Sequence, residues 1–336
     1  MTDGPAEDRI HLSVDEARAL GEAAMRGAGY DADDAWILTD HVLDAALCGY
    51  EYSGLPKLLN VVDAADFKRP SKPVSVLRET AATAMIDGGN MNGMIAAYRA
   101  SEATGIALVC MGNTWMTGRS AYYCEMIARA GLVVIHTVAS PPNVAPFGGT
   151  RAVLGTNPIA FGFPTEGDTL VIDMGTSAFM ATDLQFRARL GIPIPEGVAL
   201  GPNGHPTTDA RVARLGTLLP FGGPDGGYKG FGLALAMDAL GALSSGMRMP
   251  ETPSGYMFMA FRPDLFQPSD DYRREVSRRI AEVKDSPRQA GVTEIRIPGE
   301  RSYRTRARLM QEGIEIDRKI HTALGRLAAG HLDHGG

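Results

Sequence analysis

The sequence predicts an α/β fold, a sheet covered by helices on both faces and preceded by an all-helical opening. Three observations carry this: two amphipathic helical segments ahead of Gly49, an alternation of strands and helices from Thr83 onward, and strand-like runs that are apolar throughout.

In chain order, Ser13 with Glu16 three residues later forms a capping box, and the helix it opens runs to Arg26, with Gly27 and Gly29 to stop it. A second helix covers about Asp31 to Leu47. There Trp36, Ile37, Val42, Leu43, Ala46 and Leu47 recur at helical spacing, and Asp33 and Asp34 suit the positive end of the dipole. From Thr83 follow a strand at Met85-Ile86, a helix over Asn92 to Thr104, a strand from Ile106 to Met111, a helix to Ala130 and the apolar run Leu132 to Val138. The sheet continues through Thr169 to Met174. Gly201 to Pro206 and Gly222 to Gly227 read as loops, the second opening a helix from Lys229 to Leu243 with Leu233, Leu235, Ala236 and Leu240 as its buried stripe. A strand Gly255 to Phe261, a mixed-charge helix near Tyr272 to Val283, a strand Glu294 to Pro298 and two helices between Tyr303 and Leu327 complete the chain.

Composition narrows the function. The chain has 336 residues, 39 acidic against 33 basic groups and a net charge of -6, with 44% hydrophobic and 21% charged residues. Such a chain is globular and long enough for about two domains. Its acidity repels phosphate backbones and no local basic patch is evident, so a small molecule is the expected partner, with no nucleic acid and no membrane. Cys48, Cys110 and Cys124 lie far apart in apolar segments, which fits buried thiols in a reducing compartment. The polar, acidic stretch Met1 to Asp8 is unlike a signal peptide, and no run of about 18 apolar residues occurs, so the expected location is cytoplasmic.

No metal site is expected: His-Glu-x-x-His, Cys-x-x-Cys, the EF-hand loop and Gly-x-Ser-x-Gly are absent, and His331, Asp333 and His334 read as a polar tail. Gly-x-Gly-x-x-Gly is also missing, and Gly88, Gly89 and Gly93 have the wrong spacing for it, which disfavours a standard Rossmann domain. The segment Gly222 to Gly230 would place backbone N–H groups and Lys229 at a helix start, as a phosphate requires; a glycine loop that merely turns the chain accounts for it equally well.

Several segments together carry a resemblance: Leu154-Gly155-Thr156-Asn157-Pro158, Asp173-x-x-Thr176-Ser177, Pro206-Thr207-Thr208-Asp209, Leu218-Leu219-Pro220-Phe221-Gly222-Gly223, Gly227-Tyr228-Lys229-Gly230 and Ile297-Pro298-Gly299-Glu300. Over residues 10 to 328 the chain resembles the non-Rossmann malate/L-lactate dehydrogenase family, which includes sulfolactate and ureidoglycolate dehydrogenases, diketogulonate reductase and piperideine-2-carboxylate reductase. The resemblance implies the NAD(P)-binding fold of the sulfolactate dehydrogenase type and a homodimer. It also implies a helical domain built from residues 1–75 and 303–330 beside an α/β cofactor-binding and catalytic domain over 76–302. NAD or NADP would be held by Asp173, Met174, Gly175, Thr176, Ser177, Tyr228, Lys229, Gly299, Glu300 and Arg301, with Thr156 and Asn157 at the substrate.

The chain departs from that family where the chemistry lies. Relatives carry Ser-His-Gly and, three positions on, an arginine that holds a substrate carboxylate; here Tyr52 replaces the serine, Ser53 the histidine and Lys57 the arginine. A second family histidine is replaced by Met116, and a lysine by Asp183, which reverses charge beside the expected cofactor groove. Reducing a ketone needs an acid worth about 10²- to 10⁴-fold, which serine and methionine cannot supply. Tyr52 is the expected donor if Lys57 or the cofactor lowers its phenol, although a tyrosine packed over the cleft mouth is the commoner role. His136 is a second candidate acid, with a core histidine the commoner reading. An imine, already protonated, needs no such acid. The expected function is therefore an NAD(P)H-dependent oxidoreductase acting on an imine (ketimine) or an unusual 2-oxo acid whose carboxylate meets Lys57. The alternative is a redox-inactive descendant serving as a redox-neutral enzyme, scaffold or binding subunit.

Overall fold

The computed structural model describes residues 8–95, 106–244 and 255–333. The acidic start up to residue 7, the helix expected beyond residue 95 and His334 lie outside the described residues. The elements, in chain order, are β1 (Arg9–Leu12), α1 (Val14–Gly27), α2 (Ala32–Leu47), α3 (Pro56–Asp63), β2 (Ser75–Glu79), β3 (Thr83–Asn92), β4 (Ile106–Trp115), α4 (Ser120–Arg129), β5 (Val133–Ala139), β6 (Ile159–Phe163) and β7 (Leu170–Met174). Then come α5 (Ala181–Leu190), β8 (Ala199–Leu200), α6 (Ala210–Leu215), β9 (Thr217–Leu218), α7 (Gly223–Gly241), β10 (Gly255–Phe261), α8 (Ser269–Asp285), α9 (Glu300–Glu312), β11 (Ile314–Asp317) and α10 (Arg318–Ala328).

The capping box is present: the Ser13 hydroxyl accepts from the Glu16 N–H, and the Glu16 carboxylate accepts from the Ser13 N–H at 2.8 Å. Asp31 caps α2 in the same way through the Asp34 N–H. Apolar faces of α1, α2 and α3 meet those of β11 and α10 in one buried cluster that includes Met25, Leu38, Leu43, Leu58, Ile316 and Leu324. The opening is not purely helical. β1 pairs antiparallel with β11, Leu12 opposite Ile314, and β11 lies between the two terminal helices.

The main sheet has seven strands in the order β2-β3-β4-β10-β5-β6-β7; β3 and β4 are parallel and every other neighbouring pair is antiparallel. At β5 both faces are covered. Val134 and Val138 share a cluster with Tyr123 and Ile127 of α4, and on the other face Ala139 lies so close to Gly241 of α7 that a Cβ there would come within 2.2 Å. This explains the uninterrupted apolar run. Cover does not extend to the edge strand β2, all five of whose residues are exposed, so the expectation of two covered faces holds only for the inner strands.

Three further expectations are corrected. The buried stripe of α7 is Gly227, Gly230, Ala234, Met237 and Gly241, while Leu235 and Ala236 are exposed and Leu233 and Leu240 half-buried. Gly223 to Gly227 belong to α7 instead of to a loop. Close packing requires small residues at two points of α7, since a Cβ on Gly227 would meet the Phe147 ring at 2.6 Å and one on Gly230 the Phe221 carbonyl at 2.5 Å, whereas Gly223 and Gly226 meet nothing within 4 Å. Glu294 to Pro298 forms no strand but an extended lead into α9. Among the described residues no helix is long and apolar enough to cross a membrane.

Candidate active site

A cleft of about 490 Å³ opens between the helical layer and one end of the main sheet. Tyr52, Ser53 and Lys57 form one wall, and Asp173, Met174 and Gly175, at the end of β7, form another. Gly299 and the β4–α4 turn from Gly118 to Ala121 close it. Seven of the residues expected at the site thus come together from segments far apart in sequence.

Lys57 sits on the first turn of α3 with 5% of its surface exposed, and its ammonium makes no hydrogen bond or ion pair to a described residue. Burial pulls it down to about 8, opposed by the charge of Asp173. Asp173 is anchored at the start of α4, its Oδ2 accepting from the Ala121 N–H at 2.8 Å, where the helix dipole favours a carboxylate. Tyr52 runs against expectation. Its phenol is pushed up, not down, by burial and by the nearby Asp183, Tyr50 and Asp173, so it is no acid near neutral pH. His136 is fully buried, stacked on Phe258 at 4.0 Å and pulled down to about 4 by burial, which makes it a neutral core side chain.

Sequence reasoning missed Arg119. No motif announces it, since it follows a turn glycine, and only the left-handed Gly118 (φ 80°) lets the chain bring it into the cleft. A Cβ on Gly118 would lie 2.1 Å from Nε2 of His41, and that same nitrogen accepts the Arg119 N–H at 2.7 Å. Asp44 pairs with Nη2 of Arg119, and Arg306 bridges Asp44 at 2.8 Å and Glu125 at 2.6 Å. Nη1 of Arg119 makes no hydrogen bond to a described residue. The guanidinium is therefore held through Nη2, while Arg119 lines the cleft.

Other expected residues stand behind or beside the cleft. Asn157 is fully buried, its carboxamide spanning the Ser140 N–H, the Ala234 carbonyl and Asp238. The Thr176 hydroxyl donates to the Thr156 carbonyl, and the Ser177 hydroxyl to that of Phe179. These four brace the wall without lining it. Tyr228 and Lys229 are exposed on α7, the ammonium over the tyrosine ring at 5.9 Å. Glu300 is paired with Lys284, and Arg301 lies over the ring of Tyr50, a cleft residue, at 5.3 Å. The charge of Asp183 is paired with Arg187 at 3.1 Å within α5, yet it still reaches the cleft wall, where it helps push up the Tyr52 phenol. Met116 lines a second cavity of about 800 Å³, together with Arg189, Arg211 and Arg214. The fold thus assembles a basic patch that the linear sequence does not display.

Gly175 and Gly299 leave two stretches of the cleft wall without side chains. A Cβ on Gly175 would come within 2.8 Å of Met180 Sδ, and one on Gly299, itself left-handed, within 3.2 Å of the Val171 carbonyl. Bare backbone of this kind suits the close approach of a dinucleotide, with Asp173, Met174, Gly175 and Gly299 as the residues that would hold it.

A sequence model described as malate/L-lactate dehydrogenase matches residues 12–325. L-sulfolactate dehydrogenase of Methanocaldococcus jannaschii is 32% identical over 332 residues, covering 93% of this chain and 95% of that protein. Malate dehydrogenase from Pyrococcus horikoshii superposes with a TM-score of 0.84 at 30% identity, covering 96% of both chains. A Δ1-piperideine-2-carboxylate reductase from Pseudomonas syringae superposes with a TM-score of 0.75 at 26% identity, covering 96% of this chain and 99% of that one.

Proposed function

The chain belongs to the malate/L-lactate dehydrogenase family, NAD(P)-dependent dehydrogenases of hydroxy and oxo acids, and from that premise we propose that it reduces a 2-oxo acid or a ketimine bearing a carboxylate, with Lys57 as the proton donor. The observation that carries this is the buried ammonium of Lys57 in the cleft, without a hydrogen-bond or ion-pair partner among the described residues. A bound NAD(P)H would supply the hydride. Nζ of Lys57 would deliver a proton to the carbonyl oxygen as that oxygen gains charge, or to the nitrogen of a ketimine that arrives unprotonated, and the resulting amine would regain its proton from water. A donor titrating near 8 is mostly protonated at neutral pH yet gives its proton up readily, as general acid catalysis requires.

Arg119 then takes the role that Lys57 was expected to fill. Its guanidinium matches a carboxylate, and its pairing with Asp44 fixes its direction. Tyr52 closes the mouth as a packing residue. The proposal includes a homodimer, supported by the exposed apolar surface that Phe147, Tyr228 and Leu235 present. It also includes action in the cytoplasm, supported by the unpaired state of Cys48, Cys110 and Cys124.

Titration with NADH and NADPH, followed by nicotinamide fluorescence, tests the cofactor; a screen of cyclic imines and 2-oxo acids at several pH values then tests the reaction. Micromolar saturation followed by turnover is expected. A folded protein that binds neither dinucleotide would leave the redox-inactive descendant as the better account.

A further inference from the structure

The two cavities lie along one strip. Lys57 and Asn60 on α3 and Ala64 just past its end follow one another at helical spacing, and Thr182, Gln185 and Arg189 do so on the neighbouring α5. The first member of each series borders the 490 Å³ cleft, and the remaining members border the 800 Å³ cavity. The helices are tied together there, since Nη2 of Arg189 donates to Asn60 at 3.2 Å and to Asp63 at 2.7 Å. At a rise of 1.5 Å per residue, the far end of the strip lies about 10 Å from Lys57.

That far end is positive. Asp63 is the one acid among the residues that line it, and Arg189 is already paired with it. Nη1 of Arg189 is buried without a partner. Arg211 gives its Nε to the Ala188 carbonyl at 3.3 Å but pairs with no described acid, and the Arg214 guanidinium makes no hydrogen bond or ion pair to a described residue. In a chain of net charge -6, two uncompensated guanidiniums facing a cavity mark a place where an anion is missing from the electrostatic balance.

We propose that this cavity is a second anion site, which takes a carboxylate, sulfonate or phosphate at the distal end of the substrate. The proposal rests on the reading of the cleft given above, and it narrows the substrate class to elongated molecules whose far anionic group lies about 10 Å from Lys57. Arg119 holds the carboxylate beside the reacting carbon; Arg211 and Arg214 hold the far group through charge-assisted hydrogen bonds.

Calorimetric titration of the full-length protein with suberate, an eight-carbon dicarboxylate, and with octanoate, its single-carboxylate counterpart, tests this. Suberate is expected to bind at least about tenfold more tightly, and the Arg211→Ala/Arg214→Ala variant to lose that difference while octanoate binding stays the same. Equal affinities in the wild type, or a difference that survives in the variant, overturn the proposal. So does a variant that binds suberate normally but has lost affinity for NADPH relative to NADH, which would assign the arginines to a cofactor phosphate. Binding is read without turnover, so a wild type that takes up suberate as expected but reduces nothing refutes the proposed reaction and leaves the second site standing.

Discussion

Replacing Lys57 with methionine separates chemistry from stability. The ammonium titrates at about 8 in the folded protein against 10.5 in an exposed lysine, and that gap corresponds to about 3 kcal/mol. The folded-state value is the lower one, so the unfolded chain binds more protons between these two pH values and wild-type stability rises with pH across that window. At pH 7 the full penalty of about 3 kcal/mol is present, and Lys57→Met removes it. Thermal unfolding of both proteins at pH 7 and pH 10 is the assay. The variant is expected to melt several degrees higher at pH 7, the gap closing toward pH 10. Its kcat/KM for reduction should fall about 10²- to 10⁴-fold, and the wild-type rate should decline as pH rises through about 8. Lys57→Arg keeps the charge but cannot release a proton, so it should show the same loss of rate. A variant with unchanged Tm at pH 7 and an unchanged rate would refute both the desolvation of Lys57 and its role as acid.

Arg119→Ala should raise KM for carboxylate substrates by about 10- to 100-fold with a smaller change in kcat, and steady-state kinetics against a neutral ketone of the same shape checks that the loss belongs to the carboxylate. Gly118→Ala forces a methyl group into His41 at a left-handed position and should cost at least about 2 kcal/mol, read as a shift of the urea midpoint. His136 titrates at about 4 in the fold against 6.5 when exposed, so the unfolded chain binds more protons in between and stability falls as pH drops through that range. His136→Phe should flatten this acid dependence by about 3 kcal/mol while leaving the pH profile of turnover unchanged; urea melts and rates at pH 4.5 and pH 7 measure both.

How much of this was legible in the sequence depended on how local the signal was. The Ser13 cap, α2, and β10 from Gly255 to Phe261 stand almost where their patterns place them, because caps and periodicity act over a few residues. β1 and β11 escaped notice since each has four residues and gains its identity only from the other. Residues 223 to 227 were misread for the opposite reason: glycine signals a loop locally, whereas the Phe147 ring demands a small residue at Gly227 inside a helix. At the site, the family pattern led to Lys57, Tyr52, Asp173 and Gly299, but it gave the Tyr52 phenol a downward shift where burial pushes it up. Burial decides whether a phenol or an ammonium is the better acid, and a linear pattern holds no measure of burial. Arg119 and the arginines of the second cavity were invisible because convergence in space leaves no trace in spacing.

The pairing of β1 with β11 also sets a clock on the molecule's birth. The Arg9 side chain donates to the Glu315 carbonyl across 306 positions, and the helices that carry Lys57 share their apolar cluster with Ile314 to Leu327. At roughly 5 to 20 residues per second, a ribosome delivers that closing segment about a quarter of a minute to a minute after α1 emerges. Throughout this interval the greasy faces of α1, α2 and α3 stand open to chaperones and to one another. Lys57 rides on the third of these helices, so the wall it contributes to the cleft belongs to the part of the molecule that is sealed last.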